Sequence, residues 1–294
     1  MVQGGCRRSK MTRACIRARM VTDMKRTRIV AAFALLTLAC VARAAPSPTS
    51  SALAEVIAGP QRTPAFEARD RYRHPLQELE FFGLRPDMSV VEIWPSGGWW
   101  TEILAPYLRA HGKYYAAVQP PFRDAAFRDK LAAAPQYYDH VIVTDAGPPD
   151  RWRIAPPGSA DLVLTFRNVH NWLADGYEKE MFAAFYRALK PGGVLGVEEH
   201  RAAPGTTRAD WVKTGYVSQD FVIQLAREAG FTLAAKSEVN ANPKDTKNYP
   251  KGVWTLPPTL ELGQKDRARY LAIGESDRMT LKFVKPHKVA SGSR

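Results

Sequence analysis

Several short stretches of this 294-residue chain carry side chains whose types and spacing could do chemistry. The most informative is Glu92-Ile93-Trp94-Pro95-Ser96-Gly97-Gly98-Trp99-Trp100. Gly97 and Gly98 let the backbone turn tightly and come close to a ligand. At the start of a helix they would offer free N–H groups and a partial positive charge to an anion such as a carboxylate. Glu92 suits an ammonium, met directly or through water, and suits an arginine equally well. The indoles of Trp94, Trp99 and Trp100 could lie against a bound cation for roughly 0.5–2 kcal/mol, or simply fill core and rim. Ser96 stands where a nucleophile elbow would place its serine. That elbow wants glycine two residues before and two after; Gly98 satisfies one position and Trp94 violates the other.

Further candidates follow along the chain. Gln119 can hydrogen-bond a hydroxyl. Asp145 can cap a turn or meet a ligand. Asn168 and His170 lie in Asn168-Val169-His170-Asn171-Trp172, where His170 is the candidate general base. Glu198-Glu199-His200 could be a metal or acid–base cluster, but neighbouring residues point in different directions, so at most two share a face. No His-x-x-x-His or paired cysteines accompany them, and no metal site is expected. Trp254 in Gly252-Val253-Trp254-Thr255 either anchors a long loop over the pocket or only packs.

The elements that must position these residues alternate. Residues 90–93 form an apolar, β-branched run suited to a strand buried on both faces, and 99–108 turn helical with Trp100, Leu104 and Leu108 on one stripe. Strands are expected at 114–118, at 138–143 with Asp145 just past the end, at 161–166 and at 194–197. Helices are expected at 122–131, at 177–189 (stopped by Pro191-Gly192-Gly193) and at 218–229. Late strands follow at 231–239 and 279–284, separated by a polar loop over 240–252. Ahead of them, 63–82 reads as a helix broken at Pro75, either a solvated face or a lid over the glycine turn. The pattern is α/β: a doubly wound, mostly parallel sheet with helices on both faces. Such sheets bind ligands at the C-terminal ends of their strands, which is where the candidate residues fall.

In that order the motifs resemble the class I S-adenosylmethionine-dependent methyltransferases, with the likeness running from about residue 76 to the last strand. It is carried by Glu92 with Gly97-Gly98, Asp145-Ala146, Asp161-Leu162-Val163 and Leu189-Lys190-Pro191-Gly192-Gly193. The resemblance is nearest to exported proteins of that family, and it implies a seven-stranded, Rossmann-like sheet ending in an antiparallel hairpin. It also implies S-adenosylmethionine as cofactor, held by Glu92, Trp94, Ser96, Gly97, Gly98, Gln119, Asp145 and Asn168. Asp145 would meet the adenine amino group and Gln119 would stand where the family has a ribose-binding acid. The first two glycines of the family's turn are replaced by Trp94 and Ser96. The implied activity is methyl transfer to a small-molecule acceptor; the alternative is a catalytically inactive binding protein on the same fold. A nicotinamide enzyme is disfavoured by the lack of Gly-x-Gly-x-x-Gly.

Charge and composition narrow the surroundings. Of the formal +13, residues 1–44 hold ten basic and one acidic residue, leaving +4 for the rest, so nucleic acid is not an expected partner. All three cysteines (Cys6, Cys15 and Cys40) lie in that segment. Met24 to Arg28 followed by the apolar run 29–41 and Ala42-Arg43-Ala44 reads as a signal peptide starting at Met24, with an apolar run too short to span a bilayer comfortably. The expected organisation is a signal region over 1–44, a Ser/Pro/Thr linker over 45–60 and one domain over 61–294. The protein is expected to be periplasmic or secreted.

Overall fold

The computed structural model describes residues 48–119 and 125–287. The signal-peptide expectation at 1–44 and the start of the helix expected at 122–131 lie outside those residues. Four helices come first: α1 (Pro48–Ile57), α2 (Pro64–Glu67), α3 (Asp70–Arg73) and α4 (Pro75–Phe82). The next elements are β1 (Ser89–Ile93), α5 (Thr101–Leu108), β2 (Lys113–Val118), α6 (Ala125–Ala133), α7 (Pro135–Tyr138) and β3 (Val141–Asp145). Then come β4 (Ala160–Phe166), α8 (Val169–Asp175), α9 (Glu178–Ala188), β5 (Leu189–His200), α10 (Arg208–Thr214) and α11 (Gln219–Glu228). The chain closes with β6 (Thr232–Ser237), a 3-10 turn (Gly252–Thr255), α12 (Arg267–Ile273) and β7 (Arg278–Val284).

One seven-stranded sheet runs in the order β3-β2-β1-β4-β5-β7-β6. The first five strands pair in parallel, and β7 runs antiparallel between β5 and β6. Parallel neighbours need crossovers, which the helices supply on both faces. On one face Val91, Ile93, Val163 and Leu195 pack with Phe182 and Phe185 of α9 and Leu225 of α11. On the other, Val90, Leu162 and Leu164 pack with Leu53 of α1, Leu79 of α4 and Ile103 and Leu104 of α5. Chain order reverses at β1, whose neighbours are β2 and β4, so a crevice opens at the C-terminal ends of β1 and β4. Among the described residues no helix is long and apolar enough to cross a membrane.

The structure corrects several expectations. The stretch read as a linker contains α1, whose Leu53 is only 1% exposed. The helix expected at 63–82 is three pieces; His74, at φ 43, turns the chain between α3 and α4. The third strand is shifted to Val141–Asp145, and Pro135 starts a short helix where that strand was expected to begin. Pro191-Gly192-Gly193 does not end in a turn but lies within β5, where Gly192 N–H bonds Lys285 O and Lys285 N–H bonds Gly193 O. Helices α8, α10 and α12 were not expected. The last two have little apolar stripe to announce them: α10 buries no residue and α12 only Tyr270.

Candidate functional site

The turn after β1 is unusual in its backbone. Trp94 (φ 50), Ser96 (φ 53) and Gly98 (φ 78) all occupy the left-handed region, and two of them carry side chains that disfavour it. Trp94 is pinned there: its N–H bonds Ala117 O, its Nε1 donates to Ala146 O at 2.7 Å, and its ring meets Trp172 edge-on at 5.7 Å. Gly98 is needed for space as well as conformation, since a Cβ there would lie 3.1 Å from Lys130 Cδ. Such strain held by its surroundings is a common property of functional turns.

Beside this turn lies a cavity of about 380 Å³, walled by Trp94, Ser96, Val118, Gln119, Phe127 and Asn168, with Asn171 and Asp175 at its edge. Asn168 Nδ2 donates to Ile93 O at 2.9 Å, tying the end of β4 to the end of β1. Trp94, Ser96, Gln119 and Asn168 are thus brought together. Gly97 and Gly98 sit at the turn's outer side, against Phe66 and against Phe127 and Lys130 respectively.

The two acids expected here are engaged elsewhere. Glu92 is buried beneath α5, where Thr101 Oγ1 donates to its carboxylate at 3.0 Å and Tyr114 OH also donates. Asp145 pairs with Arg151 at 3.0 Å and lines a separate, open hollow with Asp150 and Arg153. The antiparallel bridge between Gly147 and Arg151 folds that arginine back onto it. Asp175, which sequence reasoning missed, is the carboxylate that borders the cavity. Two of the three indoles are also structural. Trp99 lies beneath the guanidiniums of Arg62 and Arg73 at 4.9 and 4.5 Å and donates to Phe66 O, while Trp100 stacks on Phe166 at 4.1 Å.

A second cavity of about 270 Å³ shares Trp94, Pro95, Ser96, Asn168 and Asn171 with the first, and its far side includes Arg167, His200 and Trp254. The 3-10 turn at Gly252–Thr255 carries Trp254 to this wall. His170 does not line either cavity. Its Nδ1 lies 3.0 Å from Glu199 Oε1, its N–H bonds Glu199 Oε2, and its ring stands behind His200 at 5.3 Å and Trp254 at 6.0 Å. Of the two histidines it is His200, from the stretch read as a possible metal or acid–base cluster, that lines the cavity. Burial holds the His200 imidazole well below the usual histidine range, helped by His170, Arg167, Arg278 and Arg73. Its Nδ1 meets Ser276 Oγ at 2.6 Å. Held neutral in this way, the imidazole can accept a hydrogen bond but is a weak base.

One atom each of His170, Glu199 and His200 falls within 4.8 Å of the others, a closeness the same-strand argument could not foresee because His170 comes from α8. Both Glu199 oxygens already accept N–H bonds, from His170 and from the His200 amide. This is the way a carboxylate fixes a histidine's orientation.

No protein-family model and no curated protein sequence matches the chain. Solved structures do. A SAM dependent methyltransferase from Aquifex aeolicus is similar at 14% identity over 80% of this chain and 98% of that one, with a TM-score of 0.51. The cyclase SpnF is similar at 16% identity over 81% of this chain and 93% of that one, also with a TM-score of 0.51. The seven-stranded sheet with its antiparallel β7 is the Rossmann-like methyltransferase fold.

Proposed function

We propose that the protein is an S-adenosylmethionine-dependent methyltransferase acting on a small acceptor. One observation carries the reading: two cavities meet at the C-terminal ends of β1 and β4 and share the wall made by Trp94, Ser96, Asn168 and Asn171. The larger suits the cofactor by volume and by its mix of aromatic walls and polar groups. Trp94, Ser96, Gln119, Asn168 and Asp175 would hold it; the left-handed turn, with Gly98 packed against Lys130, keeps their backbone in place. When bound, the cofactor supplies an electrophilic methyl group on a sulfonium. The chain's part is alignment: the shared wall fixes how two occupants face each other, the main demand of a direct transfer. His200, neutral and facing the smaller cavity, takes the proton of a hydroxyl acceptor that becomes strongly acidic as the methyl group reaches it.

Calorimetry with S-adenosylmethionine and S-adenosylhomocysteine tests the reading. Micromolar binding is expected in the wild type, with loss in a Gly98→Trp variant whose circular dichroism is unchanged. No heat at millimolar ligand would overturn it.

We also propose that the protein is exported, on the strength of the charged, apolar and small-x-small order ending at Ala44. The mature chain then begins at Ala45 and resides in the periplasm or outside the cell. Mass spectrometry of the native protein reads this directly; a cytoplasmic chain still beginning at Met24 would contradict it.

A further inference from the structure

Arg167 is the first residue after β4, and it stands in the left-handed region at φ 60 although it is not glycine. Its N–H bonds Glu198 O, which fixes this backbone against β5. The side chain borders the smaller cavity and is 20% exposed, yet its Nε is buried without a hydrogen-bond partner. Among the described residues the one carboxylate within 4.0 Å of it is Glu198, at 3.7 Å, and that carboxylate is held closer by Arg278 Nε at 2.6 Å. A buried cation normally finds a paired and hydrogen-bonded anion. Here no hydrogen-bonded anion meets Nε, and the same side chain lines the cavity.

The surrounding charge points the same way. Arg69, Arg73 and Arg278 converge on Glu275 at 2.6, 3.5 and 2.8 Å, and Arg278 also meets Glu198. Glu78, fully buried beside them, is pushed well above the usual carboxylate range by that burial and by Glu198. Four guanidiniums, of Arg69, Arg73, Arg167 and Arg278, are thus gathered with Glu198 and Glu275 behind the cavity wall. A cluster of guanidiniums behind the wall favours an oxyanion in the cavity. The wall mixes the apolar Phe166, Val253, Trp254 and Pro257 with the polar Ser96, Asn168, Asn171 and Thr259.

We infer that the methyl acceptor is a small molecule bearing an oxyanion, carboxylate or phosphate, which Arg167 receives while His200 faces the group to be methylated. This rests on the methyltransferase reading and adds the class of its substrate. Guanidinium geometry matches either oxyanion in a two-pronged bond.

The experiment titrates the full chain, with and without S-adenosylhomocysteine, with para-hydroxybenzoate, phenyl phosphate and the neutral para-hydroxybenzamide. At least one anion should bind about tenfold or more tightly than the amide. The relative strength of benzoate and phenyl phosphate says which oxyanion is preferred. The preference should disappear in Arg167→Gln and return in part in Arg167→Lys. Equal binding of anion and amide by the wild type overturns the inference, as does no binding of either anion at millimolar concentration. A preference that survives Arg167→Gln assigns the anion to another cation and overturns it too. Because the wild-type comparison needs no variant, misfolding of Arg167→Gln leaves the test intact. Failure of S-adenosylhomocysteine to bind strikes at the methyltransferase reading instead, so the two failures are distinct.

Discussion

Glu92 illustrates how a residue can match a motif and do different work. Its carboxylate lies at the heart of the sheet, and burial lifts its pKa from 4.5 to about 7 although Tyr114 and Thr101 both donate to it. A carboxyl raised in this way is kept protonated by the folded state after the unfolded chain has released its proton. Stability therefore falls as pH rises from 4.5 to about 7 and is level above that. The size of the shift corresponds to roughly 3 kcal/mol. Glu92→Gln removes the ionisation and keeps an oxygen to accept from Thr101 and Tyr114. Urea unfolding should find the variant about as stable as the wild type at pH 5 and more stable at pH 8 by roughly 1–3 kcal/mol. An unchanged difference between the two pH values would mean that Glu92 does not titrate in this window.

At the scale of elements, the N-terminal helices are part of the site's frame. Thr63 and Lys130 both bond Glu102 at the start of α5, Gln61 donates to Glu102 O, and Phe66 packs beside Gly97. The first of these helices, α1, packs on α4 and α5 and buries Leu53. Leu53→Ala is expected to cost about 2–5 kcal/mol, read as a lower urea midpoint with an unchanged slope. A loss near zero would restore the linker reading of this stretch. That reading failed because Pro46 to Ser51 is locally rich in Ser, Pro and Thr, and composition does not see the apolar surface waiting on α5. The strands were legible because a buried parallel strand needs a continuous apolar run, as at Val163 and Leu164, and such runs are rare elsewhere. The site was legible in part. Trp94, Ser96, Gln119 and Asn168 follow strands and so share a crevice, whereas the partners of Glu92 and Asp145 come from Tyr114 and Arg151, and pairing of that kind leaves no trace in spacing. His200 had a trace, its place at the end of β5, but only the packing of Ser276 and the arginines around it shows that it stays neutral.

Across the whole molecule, distant parts of the chain are joined by the buried charge cluster. Arg69 and Arg73, before the sheet begins, reach Glu275 just ahead of β7, and Arg278 of β7 reaches both Glu275 and Glu198 of β5. Arg278 also donates to Tyr72 O, so the last strand grips the first helices directly. Burial alone would raise the Glu275 carboxyl, but Arg278, Arg73 and Arg167 outweigh it and hold the group far below the usual carboxylate range. A carboxylate depressed in this way contributes stability that is present above its unfolded pKa and is lost as pH falls below it. Glu275→Gln leaves three guanidiniums without their common anion, and removing one partner of a buried ion pair is expected to cost about 3–5 kcal/mol at neutral pH. The gap should narrow in acid, because below about pH 4.5 the unfolded wild-type chain takes up a proton on Glu275 that the folded protein still refuses. Urea midpoints at pH 7 and pH 3 decide the matter. A deficit of equal size at both would place the cost in packing, and the cluster would then not be the electrostatic clasp between the N-terminal helices and the end of the sheet.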